Sequence, residues 1–188
     1  MSRASLLITI TTQASNTHTS QVGDALVKLN VTYGGYLHGL KMFSPHQQAG
    51  TTKLFGPAYT VQMVDANDTT SPKPSQHFVD GIEQGQVVFI SQPKGFYSAC
   101  WGGLMSTRAK YLGAQGVVVD GNFRDLNEHR EMEFPVSISR KHYELLGANK
   151  HKNRSSVKAL QHWAPTLSPE LLVSMFLYNL LQRRSKDH

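Results

Sequence analysis

The chain has 188 residues, of which 39% are hydrophobic and 17% are charged, and its formal net charge is +6. This length suits a single domain with a substantial core, and the composition excludes a disordered chain. A single cysteine, Cys100, excludes an intrachain disulfide framework and a cysteine-rich zinc module, and no apolar run reaches the roughly 18 residues of a membrane span.

The first predicted elements are a helix and a strand. Val22, Leu26 and Leu29 recur at helical spacing, which predicts a short capped helix over 21–29. Residues 55–64 alternate in polarity and are rich in β-formers, which predicts a strand. A polar loop that contains prolines follows this strand.

Strands and helices then alternate along the chain. The predicted elements are a short helical or turn segment over 78–82, a strand over 85–91, a helix within 99–113, a buried strand over 117–119 and a helical segment over 126–132. A further strand begins at residue 134. This order of elements indicates an α/β domain.

The charge divides the chain into two parts. Through Val136 there are ten Lys/Arg and ten Asp/Glu, whereas nine Lys/Arg and three Asp/Glu follow, so the whole positive excess lies in the last 52 residues. We therefore separate a domain over 1–136 from a basic tail over 137–188. Within the tail, 168–182 is predicted to be helical, and no strand pattern is recognised after residue 137.

The glycine pair Gly102 and Gly103 is the first candidate binding feature. Without Cβ atoms these residues let a ligand approach the backbone, and a helix that starts there offers free N–H groups to a carboxylate or phosphate. The same pattern also fits an ordinary tight turn. Along this helix, Leu104, Ala109 and Leu112 are expected on the inner face.

The second candidate feature follows the buried strand, where Asp-Gly-Asn-Phe-Arg-Asp occupies 120–125. Ligands of open α/β sheets bind beyond the carboxyl ends of strands. Arg124 offers a fork of donors to a carboxylate or keto oxygen, and Asp125 offers oxygen ligands to a hard divalent cation. The alternative is a turn with a surface arginine and an aspartate that caps the next helix.

These segments together resemble one family. Gly-Gly-Leu-Met-Ser-Thr-Arg-Ala at 102–109, the run at 120–125 and Phe-Pro-Val at 134–136 are similar to the 4-hydroxy-4-methyl-2-oxoglutarate aldolase family, which includes the bacterial regulators of ribonuclease activity. The resemblance covers roughly 20–136 and is strongest to the fungal branch that combines aldolase and oxaloacetate decarboxylase activity. It implies an RraA-like β/β/α sandwich of the swivelling-domain type, assembled as a homotrimer or a hexamer.

The resemblance also implies a reaction and a site. The reaction is retro-aldol cleavage of a 4-hydroxy-2-oxo diacid, such as 4-hydroxy-4-methyl-2-oxoglutarate, to pyruvate and a second keto acid. Oxaloacetate decarboxylation passes through the same pyruvate enolate. Arg124 would contact the keto or enolate oxygen, and Asp125 would anchor Mg²⁺ or Mn²⁺, partly through waters. The backbone N–H groups that would bind the pyruvate carboxylate belong to Gly102, Gly103, Leu104 and Met105.

Two departures from the family pattern bear on activity. Many bacterial aldolases carry an acidic residue where Gly103 stands, and Asp120 is a weaker candidate for that role than for capping its own turn. After Val136 the family continues with further strands, whereas this chain changes in composition. An altered reading frame or a divergent C-terminus would explain the change and predicts an incomplete sheet with exposed edges; a transcript that encodes the tail in frame would exclude the first explanation.

Two classes of function remain open. One is a metal-dependent lyase acting on small 2-keto acids, which Arg124 followed by Asp125 favours. The other is a non-catalytic member of the family, either a regulator that binds a protein such as a ribonuclease or a degenerate, truncated relative. The unusual tail favours loss of activity. His129 as a proton-transfer group and Cys100 as a nucleophile are both weaker than their structural interpretations.

Partners and location follow from the same residues. The basic run over 150–154 is typical of a solvated loop, so we expect no specific nucleic acid and no membrane as a partner. We expect a cytoplasmic protein. A mitochondrial location is the alternative, but Arg3 alone is charged among the first 20 residues, which makes a weak presequence.

Overall fold

The computed structural model describes residues 19–30, 32–139 and 157–161. The first element is helix α1 (Thr19–Lys28). Its Leu26 is buried, as predicted, whereas Leu29 lies beyond the helix end and is exposed. The helix stops before the glycine pair at 34–35, because Asn30 adopts a left-handed backbone with a φ of 59°.

Six strands form one sheet within the described residues, in the spatial order β1-β5-β4-β3-β2-β6. The strands are β1 (Leu40–Ser44), β2 (Ala58–Asp65), β3 (Val87–Ser91), β4 (Gly116–Asp120), β5 (Val136–Ser139) and β6 (Val157–Gln161). The four central strands are parallel neighbours, and β1 and β6 add antiparallel edges. The predicted strands over 55–64, 85–91, 117–119 and from 134 are confirmed.

The sequence predicts neither edge strand. Strand β1 contains no β-branched residue and forms by antiparallel pairing with β5. Strand β6 lies after residue 137, where the expectation of no further strand is wrong, and it covers the edge of β2. In both cases a distant partner strand rather than local propensity determines the structure. The predicted helix over 168–182 lies outside the described residues.

The central strands bury side chains on both faces of the sheet. Val117 and Val119 pack with Trp101 and Phe134 on one face, and Val118 packs with Leu40 on the other. This confirms the prediction that the valine run is buried on both sides. No helix within the described residues is long and apolar enough to cross a membrane.

Two helices and a short turn surround the carboxyl ends of β3 and β4. Helix α2 (Gly103–Tyr111) follows β3, helix α3 (Leu126–Glu131) follows β4, and a 3-10 turn (Phe78–Gly81) precedes β3. Both helices and the turn agree with the predicted segments. Because β3 and β4 are parallel neighbours, the loops that lead to α2 and α3 emerge side by side.

Candidate active site

A short backbone ladder joins the loops that follow β3 and β4. Cys100 N donates to Asn122 O at 2.9 Å, and Arg124 N donates to Trp101 O at 3.0 Å. The indole of Trp101 is fully buried and donates to Ser106 Oγ at 2.7 Å. The ladder therefore fixes the start of α2 beside the Arg-Asp pair of the second loop.

Side chains from other parts of the protein lie in the space that Cβ atoms of Gly102 and Gly103 would occupy. A Cβ on Gly102 would lie 2.8 Å from Arg124 Nε and 2.9 Å from Asp125 Oδ2, and a Cβ on Gly103 would overlap the carboxylate of Glu128. The groups that approach this backbone come from the loop and helix after β4, and the approach of a ligand stays a prediction. Any side chain at position 102 or 103 would displace them.

Asp125 departs from its predicted capping role. It occupies the N-cap position of α3 with a left-handed backbone (φ 63°, ψ 43°), but its side chain makes no capping bond. Instead Oδ2 accepts a hydrogen bond from Gly103 N at 3.0 Å and lies 3.4 Å from Arg124 Nε. The carboxylate therefore serves the first turn of α2, since the left-handed backbone directs it away from its own helix. Such backbone strain clusters at functional sites.

Glu128 is a candidate residue that sequence reasoning missed. It lies in the first turn of α3, three residues after Asp125, and its carboxylate fills the space of the absent Gly103 side chain. That is the position where the family comparison expects an acidic residue. Asp120 is the weaker candidate for this acidic role. Its carboxylate accepts a hydrogen bond from Ser139 Oγ at 2.6 Å and stays at the end of β4.

The donor set at this point suits a hydrated hard cation. Mg²⁺ is commonly held by one or two carboxylates and keeps several waters, and Asp125 and Glu128 both approach Gly103. In the part of the chain that the structure describes, no three His, Cys, Asp or Glu residues form a fuller cage. The residues thus fit Mg²⁺ or Mn²⁺ with water completing the coordination.

His129 and Cys100 both have structural surroundings. His129 is buried, and its Nε2 lies 2.7 Å from Arg124 O, which only accepts, so Nε2 carries the proton. Burial lowers the pKa of His129, which keeps the ring neutral. Burial also raises the pKa of Cys100 to about 12, and a protonated thiol is a poor nucleophile. Thus His129 holds the loop backbone, and Cys100 belongs to the core.

A cavity of about 290 Å³ opens beside the first turn of α2. Leu104 is 83% exposed, so the prediction that it faces the core is wrong. The bond from Trp101 to Ser106 turns position 106 inward instead, which leaves Leu104 on the cavity side. The cavity is lined by His77, Val79, Asp80, Gly102, Leu104, Met105, Arg108 and Arg124.

The predicted site residues therefore come together in one place. Gly102, Leu104, Met105 and Arg124 line the cavity. Asp125 is not among the lining residues, but its contact with Arg124 puts it at the margin. The amide of Gly103 donates to Asp125 and that of Met105 donates to Gly102 O, so neither is free to bind a carboxylate as predicted. Leu104 N lies at the second position of α2, ahead of the first helical i−4 carbonyl.

A family model now identifies the class of protein. The RraA-like model, described as Aldolase/RraA, matches residues 19–159, so the chain belongs to the RraA-like family. The match extends past residue 136 and includes most of β6. Assignment to the fungal branch remains a prediction.

Individual relatives share part of this chain. An uncharacterized protein of Methanocaldococcus jannaschii is 34% identical over 100 residues, which is 53% of this chain and 45% of that protein. Protein DlpA of Legionella pneumophila is 26% identical over 125 residues, 66% of this chain and 19% of that protein. The chain thus spans less than half the length of both curated relatives.

A solved structure confirms the fold. Streptomyces coelicolor RraAS2, described as an unusual member of the RNase ES inhibitor RraA protein family, is 25% identical with a TM-score of 0.54. The similarity covers 69% of this chain and 62% of that one. The α/β fold is therefore of the RraA-like type, as the sequence predicted.

Proposed function

We propose that this protein is a divalent-metal-dependent lyase that cleaves 4-hydroxy-4-methyl-2-oxoglutarate to pyruvate and decarboxylates oxaloacetate through a pyruvate enolate. The observation that carries the proposal is the position of Asp125. Its carboxylate is withdrawn from helix capping and held between Gly103 N and Arg124 Nε. The left-handed backbone turns this carboxylate toward the cavity side chain of Arg124 as well as toward the first turn of α2, which supports a role beyond capping.

The residues of the site have different roles in one step that both reactions share, the cleavage of a carbon–carbon bond. In both substrates the C3–C4 bond breaks, and its electron pair passes into the enolate of pyruvate. The aldol substrate loses its C4 hydroxyl proton to water as the C4 carbonyl forms, and oxaloacetate loses C4 as CO₂. A proton from water at C3 then converts the enolate to pyruvate. The first turn of α2, with the amide of Leu104, would bind the keto-acid carboxylate. The guanidinium of Arg124 would donate to the keto oxygen and stabilise the negative charge that develops there.

The cation would be Mg²⁺ or Mn²⁺, held by Asp125 and Glu128 with waters. When bound, it supplies Lewis-acid stabilisation of the enolate oxygen. The glycine at position 103 supports this assignment, because it leaves room for the Glu128 carboxylate.

We also propose the assembly and location that the sequence suggested, a homotrimer or hexamer in the cytoplasm. Two large apolar side chains on one helix, Leu104 and Tyr111, are exposed in the single chain. Leu104 lines the open cavity, and the exposure of both side chains on α2 supports a neighbouring subunit at this helix. Light scattering on the purified full-length chain tests the assembly, and a monomeric mass would exclude it.

A regulatory role is the second candidate. It rests on the similarity to RraAS2, which is described as belonging to a family of RNase ES inhibitors. Such a role requires a protein-binding surface and no turnover.

The deciding experiment measures pyruvate release from oxaloacetate and from 4-hydroxy-4-methyl-2-oxoglutarate. The full chain is assayed with Mg²⁺ and then with EDTA, and rates are corrected for decarboxylation by the metal alone. Turnover that EDTA abolishes is the expected result. A folded chain without turnover on either substrate overturns the lyase proposal and favours the regulatory role.

A further inference from the structure

The cavity holds a second arginine that no step above uses. Arg108 lines the same cavity as Arg124, although the two residues come from different elements. Arg124 follows β4, whereas Arg108 lies within α2. Two guanidinium groups at one small cavity indicate a ligand with more than one anionic group.

The position of Arg108 along α2 separates it from the keto-acid end. Arg108 follows Leu104 by four residues, so the two lie on the same helical face, about 6 Å apart along the axis. Leu104 and Met105 lie between Arg108 and the helix start and also line the cavity. The cavity thus has a polar end at the first turn, an apolar middle and the ion pair of Arg108 with Asp80 at its far end.

The contacts of Arg108 hold its side chain while leaving donors available. Its Nε donates to Asp80 Oδ1 at 2.8 Å, and its guanidinium carbon lies 5.4 Å from the ring centre of Tyr111. The bond to Asp80 occupies Nε, so the two terminal amino groups remain for a ligand. A guanidinium fixed at one edge is preorganised to receive a carboxylate at the other.

We propose that Arg108 is a specificity-determining residue that binds the distal carboxylate of the substrate. The substrates are then 2-keto dicarboxylates, with the keto-acid end at the first turn of α2 and Arg124. The carbon chain lies along Leu104 and Met105, and the second carboxylate meets Arg108. This inference rests on the proposed lyase function and adds the residue that selects diacids over monoacids.

The test compares unreactive ligands that differ in one group. In the presence of Mg²⁺, calorimetry measures binding of 2-oxoglutarate and of 2-oxopentanoate, which has the same five-carbon chain without the distal carboxylate. Oxalate, a mimic of the pyruvate enolate, reports the keto-acid end alone. The wild-type chain should bind 2-oxoglutarate at least about 10-fold more tightly than 2-oxopentanoate, since a charged hydrogen-bonded pair contributes a difference of this size.

Three variants show whether Arg108 is the residue that discriminates between the two ligands. Arg108→Gln should abolish the preference for 2-oxoglutarate and leave oxalate binding within about twofold of wild type. Lys28→Gln removes the same charge from the exposed end of α1, far along the chain from every cavity residue, and should retain the full preference. Arg108→Lys should keep part of the preference, because lysine retains the charge without the fork.

The outcomes separate the inference from the proposed function. Wild-type chain that binds oxalate without preferring the diacid overturns the inference and leaves the lyase proposal standing, and so does an Arg108→Gln variant that keeps the preference. A folded wild-type chain that binds neither oxalate nor 2-oxoglutarate overturns both. Thermal unfolding of each variant establishes that it is folded.

Discussion

The two sides of the cavity hold their arginines in different ways. On one side, Arg108 meets Asp80 from a separate element at 2.8 Å, 28 residues away in sequence. On the other, Arg124 and Asp125 are adjacent in sequence, 3.4 Å apart, and the side chain of Arg124 is 68% exposed. The bond to Asp80 holds the side chain of Arg108 in place at the edge of the cavity. The longer contact with Asp125 leaves the side chain of Arg124 free to turn toward a ligand.

This difference indicates that bond breaking belongs to the Arg124 side of the cavity and substrate selection to the Arg108 side. The backbone of the Arg124 loop is held firmly, through the ladder to Trp101 and the bond from His129. Its side chain is held weakly, so it can follow the charge that develops on a substrate oxygen. Changes at the Arg124 and Asp125 side should therefore alter kcat, and changes at Arg108 should alter KM.

The largest effect is expected from Asp125→Asn. Asparagine tolerates the left-handed backbone at this position, so the fold should persist while the charge is lost. We expect kcat/KM to fall by about 10³-fold in steady-state assays, with an unchanged melting temperature. Glu131→Gln, which removes a carboxylate elsewhere on α3, is the matched control. A near-normal rate for Asp125→Asn would remove Asp125 from the site.

The next effect is expected from Arg124→Lys. Lysine keeps the positive charge and loses the planar fork, so kcat should fall by about 10²-fold. Arg108→Lys should change KM for a diacid and leave kcat close to wild type. If the lysine variants showed the reverse pattern, the division between the two sides of the cavity would be wrong.

A smaller effect is expected where α2 and α3 meet. Gly103→Ala should displace the Glu128 carboxylate and weaken Mg²⁺ or Mn²⁺ binding about 10-fold, as Glu128→Gln should. Because both act through one carboxylate, the double variant should lose no more than either single variant. Titration followed by Mn²⁺ paramagnetic resonance measures this directly. Additive losses would show that Glu128 does not act at position 103.

The smallest effect concerns the pH dependence of stability. Burial lowers the pKa of His129 in the folded chain, whereas the unfolded chain takes up this proton near pH 6.5. The unfolded state then binds more protons, so the free energy of unfolding should fall as the pH drops below about 6.5, by at most about 1.4 kcal/mol per unit.

Denaturant unfolding between pH 7.5 and 5.5, a range chosen to span the ordinary histidine pKa of about 6.5, measures this slope. His129→Gln should be less stable overall and should show a shallower slope. His38→Gln, at an exposed position, should retain the wild-type slope. Equal slopes in all three chains would show that His129 is not the group responsible.

The central elements of the fold could be predicted because their signals are local. The valine run of β4 and the glycine pair before α2 each determine their own structure. The edge strands β1 and β6 could not be predicted, because their conformation depends on pairing with β5 and β2. Strand propensity is a weak guide where the partner lies far away in sequence.

The candidate site shows the same distinction. Short motifs predict three site residues that the structure brings together: Gly102, Arg124 and Asp125. The direction of Leu104 was predicted wrongly because it depends on the bond from Trp101 to Ser106. Glu128 and the pair of Asp80 with Arg108 were missed. Glu128 fills a space beside Gly103 that exists only in the folded backbone. The ion pair of Asp80 with Arg108 joins segments that are distant in sequence.

The ladder between the two loops also has a consequence for loop length. Cys100 N donates to Asn122 O and Arg124 N donates to Trp101 O, so the two segments run parallel with Trp101 beside Phe123. The carbonyls of Phe96 and Ser98 are also held, by Asn122 and Gln92, so an inserted residue is accommodated within 93–95. An insertion between Trp101 and Gly102 shifts the helix start away from Arg124. Variation in loop length is therefore tolerated within 93–95 and excluded between Trp101 and Gly102.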